Sequence, residues 1–168
     1  DGLTDAIHWL LGDMAYSAKQ LHTCATPKIF TIQYDQGNQN IIKYRTGRIG
    51  VPTMVTRMCS DGRRNALLMD IIKITVDENR YVLVLSERRK HLERLFARTQ
   101  TYIQQTGPRV DAGIVLGGAT EREREDGFSK QIIFSTIQYA SEGLDIPRLD
   151  TLILASPCSP HRLEQCVG

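Results

Sequence analysis

Four short, almost continuously apolar runs constrain this chain more than anything else in it: Tyr81–Leu85, Ala112–Leu116, Gln131–Ser135 and Leu149–Ala155, each bounded by turn or helix signals. A strand that is apolar at every position, and not only at alternate ones, is buried on both faces, which is the habit of a parallel sheet. Helical patterns lie between the runs. After Asp61, a residue able to cap a helix, Leu67, Leu68, Ile71, Ile72 and Thr75 recur at helical steps. Leu92, Leu95, Phe96, Tyr102 and Ile103 then stripe one side of Ser86–Gln105, before Gly107-Pro108 ends it. Strands alternating with helices predict an α/β domain of three layers, a mainly parallel central sheet with helices on both faces. In such sheets ligands bind beyond the carboxyl ends of the strands, so the residues just after each run are where chemistry is sought.

Elsewhere the signals are less regular. Thr4–Leu11 reads as a short helix capped by Thr4 and stopped at Gly12, and Ile29–Tyr34 reads as a strand broken at Asp35-Gln36-Gly37-Asn38. Ile41–Arg57 fits neither period and is expected to be mostly irregular, ending in a helix. Glu121–Asp126, alternating in charge, reads as a solvated helix. A length of 168 residues with 41% hydrophobic and 24% charged residues suits one domain, or one domain with a short appendage, and excludes disordered and collagen-like chains. No apolar run approaches the roughly 20 residues that span a bilayer, and no basic leader precedes the first apolar stretch, so secretion and membrane anchoring are not expected. The chain lacks an initiating Met and begins in mid-phrase, so a piece of something longer is expected.

Chemistry is narrowed further by what is scattered. Cys24, Cys59, Cys158 and Cys166 form no C-x-x-C pair and read as reduced intracellular thiols, and the four His residues have no metal-ligand spacing. No metal site and no hydrolytic triad is assigned. A formal charge of +2 is too small to announce nucleic-acid binding, although 15 of the 21 basic residues are Arg, which suits bidentate contacts to phosphate. Three strand ends carry candidate residues. Ser86-Glu87-Arg88-Arg89-Lys90-His91 puts a hydroxyl and a basic cluster at the start of a helix, where an anion is favoured, although Glu87 and Glu93 would equally make it a solvated, ion-paired face. Gly117-Gly118 allows close backbone approach, or is simply a turn. The third is Ser135-Thr136, leading into Ile137-Gln138-Tyr139-Ala140 and Ser141-Glu142-Gly143-Leu144-Asp145-Ile146-Pro147.

Here the chain resembles a family. A strand ending in Ser-Thr, the Glu142-Gly143-Leu144-Asp145-Ile146-Pro147 phrase, the strand Leu152–Ala155 and then Gln165-Cys166-Val167-Gly168 are similar to motifs V and VI of superfamily 2 helicases. Motif VI of that family reads Q-x-x-G-R-x-x-R, so the chain stops one residue before its first arginine. Leu83–Arg88 resembles motif IV, Gly117-Gly118 the loop often called motif IVa, and Asp1-Gly2-Leu3 the segment just beyond motif III. The wording Leu85-Ser86-x-Arg88, Gly117-Gly118-x-x-x-Arg122 and Ala140–Asp145 is similar to helicases of large cytoplasmic DNA viruses and some phages.

The resemblance implies a RecA-like fold with three parts: residues 1–20 as a remnant of a first RecA-like domain, 21–60 as a connecting segment with a first strand, and 61–168 as the second RecA-like domain, truncated within motif VI. It implies that Gly143, Asp145 and Gln165 face ATP, with Asp145 accepting from a ribose hydroxyl; a turn-capping role for Asp145 ahead of Pro147 is the plainer alternative. It implies that Ser86, Arg88, Arg89, Gly117, Gly118 and Thr136 touch the phosphates of one DNA or RNA strand. The phosphate loop and the D-E-x-H phrase belong to the first domain of the family, so the fragment alone is expected to be inactive, with ATP and Mg2+ engaged only in the full-length parent. An intracellular setting follows, the host cytoplasm and transcription if the viral placement holds, with the virion as a further location. A noncatalytic RecA-like module that binds nucleic acid or protein is the alternative, and a small α/β enzyme is disfavoured because no strand end offers a nucleophile with a base.

Overall fold

The computed structural model describes residues 28–34, 41–107, 110–140, 144 and 146–162. The chain divides into two compact units, 1–35 and 36–168. In the first, residues 28–34 form neither helix nor strand, and Ile29 and Phe30 stand 86% and 83% exposed. The strand expected at Ile29–Tyr34 is therefore not formed. β-branched residues supply propensity, but a strand persists only when another backbone takes its N–H and C=O groups, and among the described residues no ladder reaches this run. The helix expected at Thr4–Leu11 and the turn at Asp35–Asn38 lie outside the described residues.

The second unit opens with a tight reversal in which Lys43 and Ile49 form an isolated antiparallel bridge. Helix α1 (Val51–Ser60) follows, with Pro52 in its first turn, where a missing N–H costs nothing. Helix α2 (Gly62–Asp77) starts at Asp61, whose Oδ1 accepts from Arg63 N at 2.8 Å and Arg64 N at 3.0 Å. Two of the helix's orphan donors are thereby satisfied. Strand β1 (Val82–Ser86), α3 (Arg89–Thr106), β2 (Ala112–Val115), α4 (Glu121–Ser129), β3 (Ile132–Thr136), the single turn α5 (Ile137–Ala140) and β4 (Thr151–Leu154) complete the order.

The four strands form one sheet in the order β2-β3-β1-β4, every pair parallel, so all carboxyl ends emerge along one edge. This is the expected α/β architecture. Successive side chains point to opposite faces. On one face Val82, Val84, Ile132, Phe134 and Ile153 pack against Leu68, Ile72, Leu92 and Leu95 of α2 and α3. On the other, Leu83, Leu85 and Ile133 pack with Ile137 and Ala140 of α5, flanked by Phe128, Leu144 and Leu149. Residue-by-residue apolarity of the strands follows directly from this double coverage.

The charged run Glu121–Asp126 is the exposed first part of α4. Thr120 caps it in a reciprocal box: Glu123 N donates to Thr120 Oγ1 at 3.3 Å, and Thr120 N donates to Glu123 Oε2 at 2.7 Å. The Thr120 N–H and the Thr120 hydroxyl, which donates to the same carboxylate oxygen at 2.8 Å, lower the Glu123 pKa from its ordinary value. Two glycines set where α4 crosses β2. A Cβ on Gly127 would stand 2.4 Å from Val115 Cγ2, and one on Gly113 would stand 2.6 Å from Gly127 O.

Candidate nucleic-acid interface

Parallel pairing places the strand ends in a row. Ser86 and Thr136 are register partners across β1 and β3, Val115 partners Ser135, and Leu85 partners Leu154. Beyond β2, Ala119 N donates to Leu116 O at 3.1 Å and closes a turn whose third residue, Gly118, has φ +90. Only glycine takes that conformation without strain. Both Gly117 and Gly118 are exposed, and a Cβ on either would meet nothing within 4 Å. At the end of β3, Thr136 is half-buried and its Oγ1 accepts from Tyr139 N at 3.3 Å, capping α5. Arg89 is exposed on the first turn of α3.

Ser86 is different. It is fully buried, and its hydroxyl lies 2.9 Å from His91 Nδ1 and accepts from Arg88 N at 3.3 Å. The side chain thus faces inward and presents nothing to a strand outside. Arg88 keeps 33% of its side chain exposed, but its guanidinium is already engaged. Nε donates to Thr56 Oγ1 at 3.2 Å and Nη2 to the Pro52 carbonyl at 3.1 Å, both on α1, and Nη1 lies 3.9 Å from Glu87 Oε2. Glu87 ties this corner to β4's exit: its N–H donates to Ser156 Oγ at 2.8 Å, and its carboxylate takes Arg162 at 3.3 Å.

Behind Arg88 runs a buried polar chain that motif reading does not reach. Asn65 Nδ2 donates to Cys59 O at 3.0 Å, and Asn65 Oδ1 lies 2.9 Å from His91 Nε2. A backbone carbonyl only accepts, so the amide nitrogen faces Cys59 and the amide oxygen faces His91. His91 Nε2 therefore carries the proton, Nδ1 accepts, and the Ser86 hydroxyl donates to it. Burial, with help from Arg64 and Arg94, lowers the His91 pKa to about 4. The neutral ring is the one the network requires. One signal in the sequence could have revealed it: Asn65 and His91 are polar residues placed on otherwise apolar helix stripes beside Leu68 and Leu92.

Gly143, Asp145 and Gln165 lie outside the described residues. Among the described residues no group of three His, Cys, Asp or Glu is placed to hold a metal. Cys59 and Cys158 are free thiols pushed up by burial, so neither is poised as a thiolate nucleophile. Among the described residues, no helix is long and apolar enough to cross a membrane.

Over its whole length the chain is 28% identical, across 172 aligned positions, to a protein of Acanthamoeba polyphaga mimivirus named "Putative ATP-dependent RNA helicase L396". The resemblance to viral helicases is thus matched by a viral relative that bears a helicase name. This helicase-like chain spans 32% of the length of that viral relative. No family model matches it. Among solved structures, it is similar to the C-terminal part of the Fun30 ATPase domain, at 15% identity and TM-score 0.47 over 65% of this chain and 36% of that one. It is also similar to the Hef helicase domain of Pyrococcus furiosus, at 18% identity and TM-score 0.47 over 68% of this chain and 25% of that one.

Proposed function

We propose that this chain is the second RecA-like motor domain of an ATP-dependent helicase or translocase, and that it grips one nucleic-acid strand along the carboxyl ends of β2, β3 and β1. The observation that carries the reading is the row of parallel strand ends, which sets the open Gly117-Gly118 turn, Thr136 and the Arg88–Arg89 corner side by side. Glycines without Cβ let a sugar-phosphate chain approach the backbone, a hydroxyl and two guanidinium groups bind its oxygens, and none of these groups reads a base. The grip is sequence-independent. Ser86 enters as a support for Arg88, since its own hydroxyl is buried.

ATP binding is supported by the resemblance and by the name of the viral relative. Gly143 and Asp145 would face the nucleotide and Gln165 would begin motif VI. Holding ATP and Mg2+ for hydrolysis takes a phosphate-cradling loop and an acidic phrase for the metal. Both are assigned to a longer protein in which a first RecA-like domain supplies those parts. Closure of two such domains on ATP would move the phosphate grip, which turns hydrolysis into translocation. The setting is intracellular, with the host cytoplasm fitting the viral relative.

The test is the ATPase rate of the longer protein with and without single-stranded DNA and RNA, beside Asp145→Ala and beside this chain alone. Stimulation by one nucleic acid, a reduced rate in Asp145→Ala and no turnover by this chain are the expected results. A folded longer protein without nucleic-acid-dependent hydrolysis would sink the motor reading.

A further inference from the structure

We propose that His91 is a positioning residue which, through Ser86 and α1, holds the Arg88 guanidinium in place at the strand-end row; this rests on the strand-gripping reading above. The hydrogen bonds around it close into a ring. Starting at α1, the Cys59 carbonyl accepts from Asn65, Asn65 accepts from His91, and His91 accepts from Ser86. Ser86 then accepts from the Arg88 backbone amide, and the Arg88 side chain returns to α1 at Thr56 and Pro52. Both the main chain and the side chain of Arg88 are thereby referred to the same helix, by independent routes.

Such a ring has a physical purpose that a surface arginine lacks. A free arginine samples many rotamers and loses that freedom each time it grips a phosphate. Here two of its donors are spent on α1, which fixes the plane of the guanidinium, and Nη1, held only by the longer 3.9 Å pairing with Glu87, is the nitrogen that turns to a phosphate oxygen. The inner half of the ring is out of solvent: Asn65 and His91 are each 2% exposed and Ser86 is 0% exposed. A buried polar chain of this kind is sensitive to a missing partner: a break at His91 leaves the Asn65 amide oxygen without its donor, takes from Ser86 its imidazole acceptor and loosens the first turn of α3 from α1. Imidazole fits the position because its two nitrogens donate and accept at a fixed separation on a rigid ring. Leucine fills a similar volume and does neither.

The experiment measures binding of a short fluorescent single-stranded oligonucleotide, as RNA and as DNA, to the chain and to Arg88→Ala, His91→Leu, His91→Gln and the Arg88→Ala/His91→Leu double variant. Arg88→Ala is expected to weaken binding several-fold, and His91→Leu to weaken it comparably. In the double variant the His91 change should add nothing further, because the group it acts through is gone. His91→Gln keeps a donor toward Asn65 and an acceptor toward Ser86 and should recover most of the affinity. A full additional loss in the double variant, or unchanged binding by His91→Leu, overturns the proposal. The second measurement needs no nucleic acid: the Arg88 Nε–H resonance, bonded to Thr56, should be protected from exchange in the wild-type chain and exposed in His91→Leu. An equally protected resonance in both overturns the positioning role. If the wild-type chain binds neither oligonucleotide, the strand-gripping reading fails, and the Nε–H signal still decides whether His91 holds Arg88. Should His91→Leu not fold, Ser86→Ala cuts the same ring one link further on and is judged by the same two readouts.

Discussion

At 2% exposure, His91 has to settle its protonation state inside the protein, and the ring around it allows only the neutral form. Its pKa falls to about 4, from an unfolded value near 6.5. Between those values the unfolded chain binds a proton that the folded chain refuses, so unfolding becomes easier as pH falls through that window. Above about pH 6.5 the contribution is fully present, and below about pH 4 both states are protonated and the loss levels off. The predicted loss is on the order of 3 kcal/mol from this residue, read from urea denaturation at a series of pH values. In His91→Gln the slope between pH 4 and 6.5 should flatten; an equal slope in that variant would assign the effect to other groups. His91 also marks where residue-level reading stops. Ser86 and Arg88 were visible as a strand-end pair, yet their orientation was not, because Asn65, which acts on Ser86 through His91, and Thr56, which holds Arg88 directly, stand 21 positions before Ser86 and 32 before Arg88 and carry no motif.

Among the elements, α4 and β2 meet so closely that side chains are excluded from the crossing. A Cβ at Gly127 would overlap Val115, whose own rotamer is confined by complete burial. Gly127→Ala should therefore destabilise the fold by about 1–3 kcal/mol despite the better helix propensity of alanine, as a lowered melting temperature would report. An unchanged or raised melting temperature would mean that α4 can lift away freely. The helix's other end depends on Thr120, and Thr120→Ala should cost about 1 kcal/mol by undoing the capping box. Circular dichroism during thermal unfolding checks it. These elements also explain which parts of the fold were legible. Burial on both faces wrote β1 to β4 into the sequence as apolar runs, and Asp61 announced α2 correctly. Ile29–Tyr34 misled because its composition matches a strand, whereas pairing, which composition does not contain, is missing among the described residues.

Over the whole molecule, a formal charge of +2 provides almost no long-range field to draw in a polyanion. If the chain holds a strand, the attraction must come from a few local contacts, and salt dependence counts them. For single strands each neutralised phosphate contributes roughly −0.7 to the slope of log K against log salt. With Arg88 and Arg89 as the cationic members of the row, the slope should be shallow, about −1.4. Arg89→Ala should reduce its magnitude by about 0.7 and weaken RNA and DNA of every sequence alike, since a phosphate contact carries no base information. Titration of labelled oligonucleotides from low to moderate salt measures this directly. A much steeper slope would move the interface away from the strand ends, towards a broader basic surface in which Arg45, Arg48 or Arg57, all on exposed positions ahead of α2, take part. A slope of zero with binding intact would leave stacking and apolar contact as the source of affinity, which the strand-end row, lacking an aromatic side chain among its candidate residues, is not built to supply.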